Sequence, residues 1–479
     1  MVKIQRKMLF LLCSLAALLI AACSSQNTNT STSGSINSNS EVSTSTAVNS
    51  AYFIDEDTVT DYDKDAASTI KLTGDTASVS GEGVSIANSK VTISKAGTYL
   101  ISGESENVQV QVAATESDNV RLVFNGVTMT GDQTAIDIQS AQRVFITLAE
   151  GTNNNIANSG SSDESEAVIY SETDLTFNGT GSLTVNGQYS NAIESEAGIH
   201  ITGGSYNLTA VDDAVKVNNE LNIANTTMTV EAGEDALKSD NDDNLTLGNL
   251  YLANSTLTIS AGDDAVHASG DLLIDSGNID IAKAAEGLEG KTVTINDGNF
   301  TINSSDDAIN AANSNAAAED IGLVINGGYF TITTSGDGLD SNNSIEIKGG
   351  TLYISAATDT ANNALDYENE GIITGGQLIF LGSSEMAQGF SGNSTQASIM
   401  ENIQGSGGSK IVISDSDGNE LLSYTASQEF QNILVSTPEL EEGQTYTITV
   451  DGQSITAKAS LSTGQGGMMD SGEPGMGMP

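Results

Sequence analysis

Apolar and polar residues alternate with a period of two along the middle of the chain. Examples are "LNIANTTMTV" (221–230), "LYLANSTLTI" (250–259), "VTINDGNFTI" (293–302), "LVINGGYFTI" (323–332) and "IEIKGGTLYI" (345–354). This is the periodicity of half-buried strands, and no 3.6-residue period occurs after the first 22 residues. Each run reads as strand, Gly/Asn turn, strand, and is followed by an acidic loop and a further short strand. The small residue after each acidic pair marks the phase: Ala214, Ala236, Ala265, Gly287, Ala308, Gly338 and Ala364, in steps of 22, 29, 22, 21, 30 and 26 residues. The longer steps carry polar insertions such as "SDNDDN" (239–244) and "NSNAAAED" (313–320).

A unit of 21–22 residues cannot bury an apolar face alone, so the units must stack. The spacing predicts an all-β parallel β-helix of ten or more coils, each with three short strands and each adding about 4.8 Å. Calcium-binding nonapeptide rolls need a spacing of nine, and propellers a period of about 40–45; neither is present. Weaker copies occur upstream at 120–138 and 174–195, so the β-helix is expected over 120–385. Stacked strands need covered ends. Residues 51–119 are expected to form an N-terminal β cap, and 386–463, with two Asp-Gly turns, a small C-terminal β module of hairpins.

The flanks are different in kind. Lys3, Arg6 and Lys7 precede the apolar run "MLFLLCSLAALLIAAC", which ends in the lipobox Ile20-Ala21-Ala22-Cys23. Residues 1–22 read as a lipoprotein signal peptide, with Cys23 lipidated at the extracytoplasmic face of the cell membrane. An ordinary signal peptide or an N-terminal membrane helix is the alternative. Residues 23–50 form a Ser/Thr/Asn-rich tether and 464–479 a Gly/Met-rich tail, read as disordered.

Charge changes the picture more than composition does. The chain has 63 acidic and 16 basic residues, a formal net charge of −47, and no tryptophan. Nucleic acid is excluded as a partner, and cations or cation-bridged ligands are favoured. Loss of Cys13 with the signal leaves Cys23 as the only cysteine, so no disulfide is expected.

The carboxylates are not scattered. The second acidic position of successive loops reads Asp213, Asp235, Asp264, Glu286, Asp307, Asp337 and then Asn363. The position three later reads Lys216, Lys238, His267, Glu289, Asn310, Asp340 and Asp366, and the first position adds Asp212, Glu234, Asp263 and Asp306. Stacked carboxylates about 4.8 Å apart repel by about 1 kcal/mol in water and about 3–4 kcal/mol at an effective dielectric near 20. Lys216 and Lys238 neutralise the upper end. From Asp263 onward no lysine follows, so an external cation is expected, and an oxygen-only donor set favours Ca²⁺. The candidate metal ligands are Asp212, Asp213, Asp235, Asp263, Asp264, Glu286, Glu289, Asp306, Asp307, Asp337 and Asp340, with sites expected from Asp263 to Asp340. Solvated turn carboxylates are the alternative.

The loops "DDAV", "DDAI" and "GDGLD", the stretch "EGLEGKTVTINDGNFTINSSDDAINAA", and the flanking "GTYLISG", "LAEGTNN" and "MAQGFSGNSTQ" carry a resemblance. The chain resembles the bacterial carbohydrate-binding parallel β-helix family over most of residues 70–460. That resemblance implies a right-handed β-helix similar to that of pectate lyases, calcium held by loop aspartates, and binding of cellulose and acidic plant sugars. Calcium-dependent binding of an acidic polysaccharide such as polygalacturonate is therefore the first expectation, calcium bridging two sets of carboxylates. Without tryptophan, flat faces for sugar rings are left to Tyr329, Tyr353 and Tyr367, for which core or edge packing is the alternative. A calcium-dependent lyase is the second reading, with Lys216 or Lys238 as the base for β-elimination; lysines that simply neutralise neighbours are the competing account. A calcium-stiffened surface scaffold is the third. A monomer is expected.

Overall fold

The computed structural model describes residues 48–158, 167–241, 243–358, 362–385 and 387–464. The signal segment, Cys23, nearly all of the tether and the tail from residue 465 lie outside the described residues. Among the described residues no helix is long and apolar enough to cross a membrane.

The strands pair in parallel with strands one repeat further along. Ser182–Gly187 lies beside Ser205–Ala210, which lies beside Thr227–Ala232, which lies beside Ser255–Ser260. Two other strands, such as Asn191–Ser195 and Ile199–Ile201, fall between each such pair and make the same one-repeat pairing. Three strands thus complete a coil, and the result is an all-β, β-helix-like solenoid. Its cause is visible in the alternation: every second side chain points inward, and parallel register sets like upon like. Leu257 stands between Met228 and Ile279, and the rings of Phe300 and Phe330 stack with centroids 4.5 Å apart. The aliphatic residues of the acidic loops (Val215, Leu237, Val266, Leu288, Ile309, Leu339 and Leu365) are all buried. Each buried Leu or Ile contributes about 1.5–3 kcal/mol relative to exposure.

The marker position after each acidic pair is small for a steric reason. A Cβ on Gly287 would lie 2.4 Å from the Ala308 carbonyl oxygen, and one on Gly338 would lie 2.4 Å from the Ile354 side chain. At these two coils even the methyl of alanine has no room.

The ends depart from expectation. Parallel stacking reaches back to Ser68–Gly74, which pairs with Gly97–Glu106, well before residue 120. Antiparallel pairings within residues 68–93 interrupt the repeat there and hide its period in the sequence. Val48 to Val59 run as a strap, with two short 3₁₀ turns, along an outward column of the solenoid. That column is Arg121, Phe145, Thr176, His200, Asn222 and Tyr251, register neighbours in successive coils. Tyr52 stacks on Tyr251 at 4.0 Å, Asn222 Nδ2 donates to the Tyr52 carbonyl at 2.9 Å, and Arg121 Nη1 donates to the Val59 carbonyl at 2.7 Å. Asp57, fully buried, anchors the strap's centre: Thr176 donates to one carboxylate oxygen at 2.6 Å, and His200 Nδ1 meets the other at 2.6 Å.

At the other end Phe430–Ser436 joins the last solenoid strand, Gln377–Gly382, in antiparallel fashion. A separate four-stranded antiparallel sheet follows, built from Lys410–Ser414, Glu420–Thr425, Thr445–Val450 and Gln453–Lys458. Asp451 and Gly452 both take positive φ (48° and 84°), the conformation a two-residue hairpin turn needs.

Candidate functional site

At the acidic corner the backbone creates a need that the carboxylates meet. The marker residue's N–H bonds to the next coil, as Ala214 N does to the Asp235 carbonyl and Ala236 N to the Asp264 carbonyl. The preceding N–H, that of the second acidic residue, is left without a ladder partner, and a buried N–H cannot go unpaired without cost. The side chain one coil earlier supplies the acceptor. Asn191 accepts from Asp213 N at 2.9 Å, Asp213 from Asp235 N at 3.0 Å, Asp235 from Asp264 N at 2.8 Å, and Asp307 from Asp337 N at 2.7 Å. Asp337 accepts from Asn363 N at 2.5 Å. An asparagine does this as well as an aspartate, which explains Asn191 at the start of the series; Asn363 at the other end instead accepts from the N–H of its neighbour Ala364 at 2.9 Å. The acceptor role also explains why Asp213, Asp235 and Asp337 are buried, whereas the buried Asp264 carboxylate meets His267 instead. One oxygen of each named acceptor thus holds the fold.

The other oxygen carries charge that must be resolved, and the third-position column decides how. Register places Glu194, Lys216, Lys238, His267, Glu289, Asn310 and Asp340 in one column. Lys238 Nζ lies 2.6 Å from Asp235 Oδ2. Burial works against the ammonium, but its bond to Asp235 and the charges of Asp235 and Asp213 outweigh it and push its pKa well up. His267 Nδ1 lies 3.0 Å from Asp264 Oδ2 and also bonds Glu289. Burial alone would lower His267, yet the two carboxylates raise it to about 10, so it is a resident cation. Asp264, His267 and Glu289 also place their ligand atoms within 4.8 Å of one another, a group able to hold a cation. The repeat places His267 beside Glu289 in one column, but it does not reveal that one ring nitrogen meets both Asp264 and Glu289.

Beyond His267 the resident cations stop. Asp337, Asp340 and Asp366 place carboxylate oxygens within 4.8 Å of one another, and among the described residues none of them, nor Asp307, forms an ion pair. Burial first, and the charges of Asp307 and Asp366 after it, raise Asp337 to about 8 and Asp340 to about 7. Burial likewise raises Asp366 and Asp307. Glu286, raised to about 8 by burial and by Glu289 and Asp264, accepts a hydrogen bond from Asn310 Nδ2 at 3.1 Å. The Oδ1 of the same Asn310 is buried without a partner, on the register neighbour of Asp340. Gln388 Nε2 donates to Asp366.

The other candidates separate from this group. The first-position Asp263 and Asp306 are exposed and Asp212 is half-buried; none joins a clustered set. Asp366 was not among the chosen ligands because its loop has Asn363 at the second position, although its phase relative to Ala364 is that of Asp340. Tyr329 and Tyr353 come together, ring centroids 6.0 Å apart, whereas Tyr367 is turned inward and donates its hydroxyl to the Gly389 carbonyl at 2.5 Å. A second titratable cluster, which the sequence did not reveal, lies under the strap. Burial disfavours the His200 imidazolium, but bonds to Asp57 and Glu220 outweigh it and raise its pKa. Burial also opposes ionisation of Asp57, and the bonds from His200 and Thr176 overcome it and hold Asp57 low.

Comparison gives this solenoid a family. The family of carbohydrate-binding domain-containing proteins matches residues 87–360 and 269–469, and the chain belongs to it. A carbohydrate-binding domain-containing protein of Acetivibrio thermocellus is 34% identical over 137 residues, 27% of this chain and 48% of that relative. The match thus spans about half the length of that curated relative. The solved polysaccharide lyase-like protein from C. thermocellum, a gadolinium derivative, aligns with a TM-score of 0.33 and 22% identity, over 66% of this chain and 99% of that one.

Proposed function

We propose that the protein binds acidic polysaccharide, such as polygalacturonate, through calcium held at the corner formed by Asp337, Asp340 and Asp366. One observation carries the reading: the side chains that neutralise the ladder, Lys238 and His267, have no counterpart where Asn310, Asp340 and Asp366 follow. The donor set is carboxylate and amide oxygen, with the unpartnered Asn310 Oδ1 beside it, and that set suits Ca²⁺ rather than Zn²⁺. Bound calcium supplies charge neutralisation and open positions for ligand oxygens. The chain's own part is to hold three carboxylates in place from successive coils. Uronate carboxylates complete such a set, which reconciles an acidic protein with an acidic polymer. Calorimetric titration of calcium followed by polygalacturonate tests this. Binding of both is expected in the wild type, and loss of both in Asp340→Asn; polygalacturonate binding that persists in EDTA overturns the proposal. Calcium binding without any glycan leaves the scaffold reading instead.

The lyase reading receives no support from the geometry. Lys216 and Lys238 stand five and four register steps from Asp340, roughly 24 and 19 Å at about 4.8 Å per step. Lys238 is moreover held protonated by Asp235, the wrong state for a base. For location, the lipobox at Cys23 supports attachment to the extracytoplasmic face of the membrane. Cys23→Ser is expected to abolish incorporation of labelled palmitate; unchanged labelling removes that assignment.

A further inference from the structure

One coil of the acidic corner is built differently from its neighbours. Asp213, Asp235, Asp307 and Asp337 each spend a carboxylate oxygen on the N–H of the next coil. The Asp264 carboxylate turns to His267 instead. The repeat is disturbed at the same place. Within Gly277–Ala284 an extra residue after Ile281 breaks the register with the strand before it and with the strand after it. A bulge of this kind re-aims the side chains around it, and the loop that follows is the one carrying Glu286 and Glu289.

The result is one imidazole between two carboxylates. His267 Nδ1 lies 3.0 Å from Asp264 Oδ2 and also bonds Glu289 Oε2, and the three ligand atoms lie within 4.8 Å of one another. A ring nitrogen carries a single proton, which cannot lie on the lines to both oxygens at once. A metal ion between the three atoms meets all of them. Ligands of a tetrahedral ion with bonds of about 2.1 Å stand about 3.4 Å apart, between the 3.0 Å of the His267–Asp264 contact and the 4.8 Å limit of the group. The donors also differ in kind from the oxygen-only set at Asp337, Asp340 and Asp366. One imidazole nitrogen with two carboxylate oxygens suits Zn²⁺, whereas Ca²⁺ takes about six to eight oxygens. The side chains of His267 and Glu289 are 21% and 20% exposed, which leaves an entry path and room for water.

We propose that Asp264, His267 and Glu289 form a zinc site, with His267 Nδ1 and one oxygen of each carboxylate as ligands and water in the fourth position. The proton at Nδ1 passes to solvent as the ion enters. Lys238, one coil earlier in the same column, shows the alternative: its ammonium pairs with Asp235 and offers a metal no lone pair. The inference goes beyond the calcium corner and does not depend on it or on any glycan.

The chain has two histidines, so an intact, untagged chain with histidine alone isotopically labelled for nitrogen NMR reports two imidazoles, His200 and His267. Zinc chloride titrated in the presence of excess calcium is expected to shift the ring nitrogens of His267 and to leave those of His200 in place. His267→Lys assigns the signals and copies the Lys238–Asp235 arrangement, so Asp264 stays neutralised. By calorimetry it is expected to weaken zinc binding by more than about a hundredfold, beyond what loss of an outer partner costs. Asp340→Asn is expected to bind zinc as the wild type does, and His267→Lys to bind calcium as the wild type does, so either site can fail without the other. An unmoved His267 ring, a shift of His200 alone, displacement of zinc by calcium, wild-type affinity in His267→Lys or loss of zinc in Asp340→Asn overturns the inference. If His267→Lys does not fold, the ring shifts of the wild type decide alone.

Discussion

The acidic corner and the flat face formed by the parallel strands from Asn153–Asn158 to Thr351–Ser355, whose outward residues are largely threonine and asparagine, are built from the same coils, yet they obey different constraints. At the corner the strand ladder is interrupted, a buried N–H needs an acceptor, and a short acidic or amide side chain from the neighbouring coil has to provide it. Charge follows as a consequence of backbone satisfaction, and each coil must then dispose of it through Lys238, His267 or a cation from outside. On the flat face the ladder is complete, so the backbone demands nothing of the outward side chains. The comparison teaches where to look for ligands: the corner's chemistry is partly spent on folding, while the face's is free.

Breaking a corner pair is expected to cost most. Lys238→Met leaves Asp235 buried and unpaired and should destabilise by about 3 kcal/mol, read from denaturant midpoints. Most of that loss should disappear when Asp235→Asn is added; an equal loss in the double variant means that the pair is not its origin. Next comes the metal. Calcium at about 100 times its dissociation constant should stabilise by about 2.7 kcal/mol, and Asp340→Asn should remove the increment in a thermal melt. A melt that calcium leaves unmoved denies the corner its cation.

The strap gives a smaller effect with a defined pH dependence. His200 is raised, so its contribution is complete below the ordinary histidine value of about 6.5 and is lost as pH rises through the raised pKa. Asp57 is held low, so its contribution is complete above the ordinary carboxylate range and is lost as pH falls through the lowered pKa. Hydrogen exchange across residues 49–59 should therefore be slowest between about pH 4 and pH 6.5, relative to intrinsic rates. Protection that is flat across pH 4–9 contradicts the assignment. Least of all, Thr229→Lys on the flat face should change stability by less than about 0.5 kcal/mol; a larger loss means that this face is under structural constraint after all.

Much of the architecture was legible because parallel stacking writes itself into sequence as a repeat. The phase of Ala214 to Ala364 located the coils and the acidic corner, and the aliphatics after each marker are buried as that phase requires. What remained hidden was whatever depends on contact between different phases. His267 bonds Asp264 as well as Glu289, its own column neighbour, and Asp57 meets His200 across 143 residues. Asp366 was obscured by the asparagine that replaces its acidic neighbour. The early coils were obscured by the antiparallel pairings within residues 68–93. The flat face was readable in principle, as threonine and asparagine at alternate positions, but it emerges only once register aligns them.

The strap also alters how the molecule should respond to force. A stack in which each coil touches only its neighbours frays from an end, one coil at a time. Here Val48 to Val59 ties coils from Arg121 to Tyr251 along one line, so these coils cannot separate individually without releasing a common fastening. Tension applied through the chain ahead of Val48 first meets the Tyr52–Tyr251 stack and the Asn222 hydrogen bond, in shear along the side of the solenoid. Force entering at Val48 is thus shared over the coils from Arg121 to Tyr251 and is not taken up by the first coil alone.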